Sequence, residues 1–305
     1  MTTTAQKRAA FRQLHQSGCF VLPNPWDIGS ARMLQHLGFK ALASTSSGFA
    51  WSIGRADNQV ACDDVLAHLT ALCAATDLPV NADFESGFAD DPDGVAANVT
   101  RAVATGIAGL SIENATGDKA RPLYDDALGV ARIQAARAAI DATGEDVLLV
   151  ARCEGFLWGE RDLSKTAARL EAFADAGADC LYAPGVSTEA EITTLVQAVA
   201  PKPLNVLTVQ PTTMTVANLA ALGVRRISVG GALARAAWGG FLTAAREIAE
   251  QGTFTALAGA AKGAELNGVF GGSSNVLCRA HGPAAWVSKV AHDKNKQELF
   301  FGGAH

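Results

Sequence analysis

The sequence predicts a single (β/α)₈ barrel of the TIM type with extra C-terminal helices, and three observations support this fold class. Short apolar runs recur along the first 230 or so residues. An Ala-rich stretch with a 3.6-residue period follows each run, and a glycine then ends it. No Gly-rich nucleotide-binding loop follows any run, and eight runs exceed the five or six strands usual in an open doubly wound sheet.

The eight apolar runs are the predicted strands, at residues 19–23, 40–45, 79–84, 108–113, 147–152, 179–184, 203–208 and 225–230. The segments between them have one apolar face, and parallel strands need such crossover helices. They include residues 95–106, 163–177 and 188–200. We predict a catalytic barrel over residues 1–251 and a C-terminal helical extension or tail over 252–305, with helices at 240–251 and 253–264.

Composition narrows the class of partner. A formal net charge of −5 and a pI near 5.7 give no electrostatic reason to expect nucleic acid or an acidic membrane surface. The polar N-terminus lacks an apolar signal region, and no run reaches the roughly 18 apolar residues of a membrane span. Six cysteines lie without metal-ligand spacing, which favours reduced thiols. We therefore expect a cytoplasmic protein that binds neither nucleic acid nor membrane.

Three carboxylates follow neighbouring predicted strands. Asp83 and Glu85 end the third run, two residues apart and so on one side of an extended chain, and Glu113 ends the fourth. Carboxylates gathered in a cleft repel one another unless a cation lies among them. Oxygen ligands without nearby Cys or His favour Mg²⁺, with Mn²⁺ as the second possibility. The alternative is that individual acids pair with lysines on the barrel rim.

Arg152 ends the fifth run, with Glu154 two positions further on. An arginine at the barrel mouth binds a carboxylate with two parallel hydrogen bonds, and Glu154 would orient it. The alternative is that Arg152 is a structural partner for a neighbouring carboxylate.

The second run leads into a Ser- and Gly-rich segment, Ser44 to Gly48. Its backbone N–H groups and hydroxyls would lie over the mouth, where they suit an anion, although such a turn can equally be an ordinary loop. Asp57, further along, could reach the metal shell. No histidine ends a predicted strand, so we expect neither a histidine base nor a His-ligated zinc.

The motifs NADFESGF, SIEN and VARCEGF resemble those of the isocitrate lyase and phosphoenolpyruvate mutase superfamily, and the resemblance extends from about residue 10 to residue 250. GFKALASTSSG, GRADN and GADCLYAPG agree in the same order. The resemblance implies a Mg²⁺-dependent barrel that acts on 2-oxo acids or their enolates at C–C or C–P bonds. It also implies a tetramer that exchanges its last helix between subunits.

The resemblance assigns roles to residues already singled out. Asp83 matches the acid nearest the metal, Glu85 and Glu113 match its partners, and Asp57 matches another acid of the metal site. Arg152 matches the arginine that neutralises the developing enolate.

The substrate carboxylate is assigned to the second loop by the same resemblance. Ser46 and Ser47 match residues that bind it through backbone N–H groups, and Trp26 and Asp27 are weaker candidates near the mouth.

The departures from the superfamily motifs narrow the expected chemistry. The isocitrate and methylisocitrate lyases carry a KKCGH loop with an acid/base cysteine, whereas the segment here reads NATGDKARPLYD (114–125). Within it, residues 115–125 have the composition of a mobile lid. Lys119 and Arg121 are its basic residues, and Lys119 is the catalytic candidate. The mutases carry a longer loop with Lys and Asn, and a histidine where Tyr182 stands here.

The sequence therefore predicts a Mg²⁺-dependent lyase that cleaves a C–C bond of a 2-oxo acid or related carboxylate through an enolate. Oxaloacetate decarboxylase-like and methylisocitrate lyase-like reactions are both open, and the former needs no general acid during bond cleavage. Two alternatives remain: C–P chemistry of the phosphoenolpyruvate or carboxyphosphonoenolpyruvate mutase type, and a protein that binds a 2-oxo dicarboxylate without turnover. A homotetramer or homodimer is expected.

Overall fold

A computed structural model describes residues 2–272, and its eight parallel strands form one sheet that curves into a barrel. The sheet order is β1-β8-β7-β6-β5-β4-β3-β2. The strands are β1 (Phe20–Leu22), β2 (Leu42–Ala43), β3 (Val80–Asp83), β4 (Gly109–Glu113), β5 (Leu148–Arg152), β6 (Cys180–Tyr182), β7 (Leu204–Leu207) and β8 (Arg226–Ser228). A backbone hydrogen bond from Ala43 N to Pro23 O, 3.1 Å long, links the two edge strands. The barrel is nearly closed, which confirms the predicted fold class.

The helices surround the sheet. They are α1 (Thr4–Leu14), α2 (Ile28–His36), α3 (Ser46–Ser52), α4 (Cys62–Ala75), α5 (Pro92–Ala104), α6 (Asp126–Thr143), α7 (Leu163–Asp175), α8 (Glu189–Val199), α9 (Val216–Ala221), α10 (Ala232–Gln251) and α11 (Gly263–Phe270). Side chains with oxygen acceptors begin several of them, such as Asp91, Asp125 and Thr188, each of which accepts a hydrogen bond from a backbone N–H of the first turn. Local sequence and barrel topology therefore agree on where the helices begin.

The C-terminal helices differ from their predicted bounds. α10 begins at Ala232, eight residues before the predicted start at 240, because Ala232–Ala237 are good helix formers directly after Gly231. The predicted helix at 253–264 is instead a 3₁₀ helix, Thr255–Gly259, followed by α11. Ala260 between them has an extended backbone. Residues 273–305 of the predicted extension lie outside the described part of the chain.

Helix α1 packs against the end of the barrel at which the strands begin. Phe11 is fully buried there, and Arg8 donates to Val103 O (3.0 Å) and Ile107 O (2.9 Å) before β4. Lys7 donates to the carbonyl oxygens of Cys73 and Thr76 before β3. The mouth therefore lies at the other end, where the strands finish. Within residues 2–272, no helix is long and apolar enough to cross a membrane.

Candidate active site

Asp83, Glu113 and Arg152 are the last residues of three adjacent strands, β3, β4 and β5. The ladder pairs Glu113 with Arg152, and it pairs Asp83 with Ser111, two residues before Glu113. In parallel strands, the carboxyl ends face the same rim of a barrel. The fold thus brings three of the predicted site residues to one mouth.

The Arg152 guanidinium lies at the centre of this group. Its Nη1 is 2.6 Å from Asp83 Oδ1, and its Nη2 is 3.1 Å from Glu113 Oε2 and 2.9 Å from Glu154 Oε1. Nε also donates to Glu154 Oε1, at 2.9 Å. One planar cation therefore contacts three carboxylates. These contacts are the ones expected if Arg152 is a structural partner for neighbouring carboxylates, and they are also compatible with a role in substrate binding.

Burial and mutual charge shift the pKa values of this cluster. Burial alone would lower the pKa of Arg152, but Glu154, Glu113 and Asp83 outweigh burial and raise it, so the guanidinium stays charged. Burial raises the pKa of Glu113 well above its usual value, against the opposing effect of Arg152. Burial also raises the pKa of Glu154. The cation is permanent, whereas burial makes the Glu113 and Glu154 carboxyl groups harder to ionise.

Glu85 and Asp57 add two more carboxyl groups beside Asp83. Burial, then the charges of Asp83 and Asp57, raise the pKa of Glu85 to about 8. Burial, then the charge of Asp83, likewise raise the pKa of Asp57, against the lowering effect of the Asn58 N–H that donates to it. The charge of Asp83 thus acts on both Glu85 and Asp57, and the charge of Asp57 acts on Glu85. Such an array repels itself unless protons or a cation neutralise it.

The backbone at Glu85 does not continue the strand. β3 ends at Asp83, and Glu85 has a left-handed φ of 47°. The same-side prediction from strand alternation therefore does not apply to Asp83 and Glu85, although both face the mouth region. Arg152 and Glu154 show the same correction, because β5 ends at Arg152 and Glu154 has a helical backbone. Their side chains nevertheless meet.

The segment after β2, predicted as a loop, contains helix α3, with Thr45 as its N-cap. The Ser46 N–H donates to Asp83 Oδ2 (2.9 Å), and the Asp83 N–H donates to Ser44 Oγ (2.8 Å). Ser47 Oγ lies 3.2 Å from Thr45 Oγ1. Ser44 and Ser46 therefore hold Asp83 from both sides, and Ser47 Oγ lies next to Gly231, directly before α10.

Gly48 and Trp26 lie behind this segment. A Cβ on Gly48 would come within 2.6 Å of Thr45 Cγ2, 3.0 Å of Trp26 Cβ and 3.3 Å of Ala234 Cβ. Gly48 is therefore required for the close approach of α3 to Trp26 and to α10. Asp27 caps α2 through Ser30 and is exposed.

Two buried asparagines that the sequence analysis did not single out fix the mouth. Asn24 Nδ2 donates to Ser44 O (2.9 Å), and its Oδ1 accepts from Val229 N (3.0 Å) and Gly230 N (2.8 Å). It thereby joins the ends of β1, β2 and β8. Asn114 Oδ1 accepts from Glu154 N, at 2.8 Å. Each asparagine comes directly after a predicted apolar run, and this position at a strand end is the signal that could have identified them.

Tyr182 ends β6 beside Arg152, with the guanidinium carbon 5.1 Å from the ring centroid. Burial raises the pKa of Tyr182 well above its usual value, so the phenol stays protonated. Tyr182 therefore offers Arg152 an apolar face and a cation–π contact rather than a second charge.

The predicted lid forms a short hairpin over residues 115–123. Ala115 pairs with Leu123, and Thr116 N donates to Pro122 O (3.0 Å). Residues 117–121, which include Lys119 and Arg121, are exposed. Lys119 is thus at the hairpin tip, and its catalytic role stays a prediction.

The donor set fits a hard divalent cation, although in residues 2–272 no three acids, cysteines or histidines form a ready-made cage. Arg152 contacts Asp83 and Glu113 from within the group. Mg²⁺ usually takes one or two protein carboxylates and keeps several waters, so it does not need such a cage. Burial is the largest cause of the raised pKa of Glu85, and a cation would relieve the smaller repulsion from Asp83 and Asp57.

Comparison with known proteins identifies the family of this chain. A family model described as phosphoenolpyruvate phosphomutase matches residues 11–249. A crystal structure from Burkholderia cenocepacia, provisionally named a lyase/mutase, is 48% identical, with a TM-score of 0.85 over 88% of this chain and 97% of the other.

Two further solved structures differ in the reaction that their names give. A provisionally named phosphonomutase from Burkholderia cenocepacia is 36% identical, with a TM-score of 0.75 over 82% of this chain and 100% of the other. A 2,3-dimethylmalate lyase is 26% identical, with a TM-score of 0.77 over 96% and 99% of the two chains. The chain therefore belongs to the phosphoenolpyruvate phosphomutase family, in the superfamily of carbon–carbon lyases and mutases that also includes the isocitrate lyases.

Proposed function

We propose that the protein is a Mg²⁺-dependent lyase that cleaves a C–C bond of a 2-oxo acid or related carboxylate through an enolate. The observation that carries this proposal is the contact of Arg152 with Asp83, Glu113 and Glu154, at 2.6 to 3.1 Å, at the mouth of the barrel. A fixed cation beside a surplus of acids suits a reaction in which negative charge develops on a substrate oxygen.

Substrate binding would use the segment after β2. Because the Ser46 N–H already donates to Asp83, the Ser46 and Ser47 hydroxyls and the Ser47 backbone N–H would hold the substrate carboxylate, with Trp26 behind them. Ser44 and Gly48 would act by shaping this segment, since Ser44 supports Asp83 and Gly48 allows the close packing of α3.

Arg152 would stabilise the enolate oxygen. When the bond to the third carbon breaks, the keto oxygen gains negative charge, and a buried guanidinium interacts with that charge more strongly than with the neutral ketone. Glu154 and Tyr182 would keep the guanidinium in its plane and orientation. Mg²⁺, or Mn²⁺ in its place, would be held by Asp83, Glu85 and Glu113 directly or through water, with Asp57 nearby, and would supply a Lewis acid.

The missing proton donor favours an oxaloacetate-like substrate. Residues 114–125 contain neither Cys nor His. Decarboxylation releases CO₂ without a proton, and water can protonate the enolate afterwards. A methylisocitrate-like cleavage would need a donor, for which Lys119 on a closed hairpin is the candidate. The 26% identity with 2,3-dimethylmalate lyase supports C–C cleavage as the reaction class.

Two other functions compete with this one. Mutase-type C–P chemistry is favoured by the family match and by the provisionally named phosphonomutase. Binding of a 2-oxo dicarboxylate without turnover is favoured by the hairpin, whose basic side chains lie on an exposed tip.

The proposal includes self-association, as a homotetramer or homodimer. Among the 20 residues of α10, all within the described part of the chain, only Ala234 is buried. Trp238 (40% exposed) and Phe241 (59% exposed) pack edge to face on its outer side. A second copy of the chain would cover this apolar face.

The test is turnover of a substrate panel by the metal-loaded protein. Oxaloacetate, methylisocitrate, isocitrate and phosphonopyruvate are incubated with and without Mg²⁺, and the formation of pyruvate, glyoxylate, phosphate and phosphoenolpyruvate is followed. We expect Mg²⁺-dependent pyruvate release from oxaloacetate, abolished by EDTA and by Asp83→Asn.

The matched control is Asp179→Asn, which removes an acid that bonds Leu149 N (2.9 Å) and Arg137 (3.0 Å) at the other end of the barrel. It should lower stability and keep the Mg²⁺ dependence. If phosphonopyruvate is rearranged or releases phosphate, the proposed lyase function is wrong and the protein acts on C–P bonds. Tight binding without turnover would replace it with the binding protein.

A further inference from the structure

Arg132 on α6 is the largest side chain among the fully buried residues, with 1% exposure. It donates to three backbone carbonyls of the segment that follows β3. Nη1 bonds Ala89 O (2.5 Å) and Asp90 O (2.6 Å), and Nη2 bonds Ser86 O. A buried guanidinium is costly unless its donors are satisfied. Here the acceptors belong to one short segment at the candidate site.

The segment held by Arg132 has a strained backbone. Three non-glycine residues in the described chain have a left-handed φ, and two of them are Glu85 (47°) and Phe88 (56°). Such conformations cost free energy and persist where surrounding contacts fix them. The carbonyls that Arg132 binds, at residues 86, 89 and 90, flank both positions.

The same guanidinium connects this segment to the hairpin. Its carbon lies 3.9 Å from the ring centroid of Tyr124, at the end of the hairpin. Tyr124 Oη donates to Asp90 Oδ1 (2.5 Å), and Tyr124 N donates to Asn114 O (3.0 Å). Tyr124 is buried, whereas residues 117–121 are exposed. The base of the hairpin is thus fixed and its tip is free of packing.

We propose that Arg132 is a positioning residue that holds residues 85–90 in the conformation presenting Glu85 to the mouth, and that ties this segment to the base of the 115–123 hairpin. The role of Glu85 in this inference rests on the proposed metal-dependent function. Arg132 itself does not contact Arg152, Asp83 or Glu113 in any hydrogen bond or ion pair described for residues 2–272. Its effect passes through the backbone and through Tyr124.

Three variants separate positioning from stability. Arg132→Lys keeps the charge and loses the fork that reaches three carbonyls. Tyr124→Phe keeps the ring against Arg132 and loses the bond to Asp90. Arg8→Lys is the matched control, since Arg8 is also buried and also donates to backbone carbonyls, but at the opposite end of the barrel.

Two measurements do not depend on turnover. The first is the affinity for Mg²⁺ alone, by calorimetry on the full chain. The second is the rate of trypsin cleavage after Lys119, followed by mass spectrometry. Lys119 lies at the hairpin tip and Ala120 follows it, whereas Pro122 protects the bond after Arg121. A third readout, which does depend on turnover, is the separate effect on kcat and on KM with the substrate that the panel identifies.

We expect Arg132→Lys to weaken Mg²⁺ binding roughly 10-fold, to raise the cleavage rate after Lys119 severalfold, and to lower kcat more than it raises KM. Tyr124→Phe should raise the cleavage rate and leave Mg²⁺ affinity within about twofold of wild type, because the three carbonyl bonds of Arg132 remain. Arg8→Lys should lower the melting temperature and change neither readout.

The inference is overturned if Arg132→Lys and Arg8→Lys have the same Mg²⁺ affinity and the same cleavage rate after Lys119 while their melting temperatures fall by similar amounts. If Arg132→Lys does not fold, Tyr124→Phe decides, and an unchanged cleavage rate then overturns it. If the wild-type protein binds no Mg²⁺, the proposed metal-dependent function is wrong, and so is the proposed positioning of Glu85 for that function. The cleavage rates would still test the tie between Arg132 and the hairpin.

Discussion

Arg152 Nη1 lies 2.6 Å from Asp83 Oδ1, so the last residues of β5 and β3 meet in front of β4. Asp83 is held in turn by the Ser46 N–H and, through its own N–H, by Ser44 Oγ. Both charged side chains are more than four-fifths buried. Loss of one member of such a buried pair is destabilising, because the remaining charge loses its nearest partner. The pair therefore fixes the geometry of the mouth before any ligand binds.

Arg152→Lys should lower kcat by about 10²-fold or more, the usual cost of removing one preorganised donor to a developing oxyanion. A lysine retains the charge, but its ammonium cannot reach Asp83, Glu113 and Glu154 with the fixed fork of a guanidinium. The change in kcat is measured by steady-state kinetics with the substrate that the panel identifies. Activity within a fewfold of wild type would contradict a role for Arg152 in stabilising the enolate.

The control for this variant is Arg137→Lys, which alters an arginine bonded to Asp179 at the other end of the barrel. It should leave kcat unchanged within a few tens of per cent. Equal losses of activity in the two variants would show that destabilisation, and not the mouth, explains the effect.

Strand ends were the part of the site that the sequence predicted well. Apolar runs locate the strands, and parallel pairing then places Asp83, Glu113 and Arg152 on one rim. The contacts of Arg152 with the surrounding carboxylates could not be predicted, because the alternation of side chains along a strand does not apply to residues beyond the end of the strand. Glu85 and Glu154 lie in that region, where φ and ψ depend on tertiary contacts such as those of Arg132.

Helix α3 illustrates the limit of composition. Ser, Gly and Thr at residues 44–48 indicate a loop, yet Thr45 caps a seven-residue helix there. Tertiary packing decides the outcome here. Gly48 fits closely against Trp26, which lies between β1 and α2, and against Ala234 of α10, and both residues are far from Gly48 in sequence. Propensity is a weak predictor where tertiary packing overrides it.

Asn24→Ala should destabilise the protein strongly, because it leaves Ser44 O, Val229 N and Gly230 N without their side-chain partner. An unsatisfied buried group costs about 1–3 kcal/mol. Ser44→Ala, which removes only the acceptor of Asp83 N, should cost less. Chemical denaturation of both variants measures the free energy of unfolding. A smaller loss for Asn24→Ala than for Ser44→Ala would contradict the role of Asn24 in joining three strand ends.

His15 should make the protein sensitive to acid. Burial, then the charge of Arg226, lowers the pKa of His15 from its ordinary value of 6.5 to about 3, with Arg12 and Arg225 acting in the same direction. The folded state therefore prefers the neutral ring, so its stabilising contribution is complete above pH 6.5 and is lost as pH falls from 6.5 towards 3.

His15→Gln is the test of that contribution, because glutamine cannot gain a proton. Thermal melts between pH 7 and pH 4 should show a steeper fall in melting temperature for wild type than for this variant. His36→Gln, on α2, should follow wild type. Parallel curves for wild type and His15→Gln would show that His15 protonation does not limit acid stability.

Phe241→Glu should dissociate the proposed homotetramer or homodimer. Phe241 is 59% exposed and packs against Trp238, with ring centroids 5.5 Å apart, on a helix that buries almost nothing against its own barrel. A carboxylate in the centre of an apolar interface lacks a partner and opposes association. Light scattering after size-exclusion chromatography measures the mass, with Leu37→Glu, equally exposed at the end of α2, as the control. A wild-type protein that is monomeric at every concentration tested would remove self-association from the proposal and leave the apolar face of α10 to a different partner.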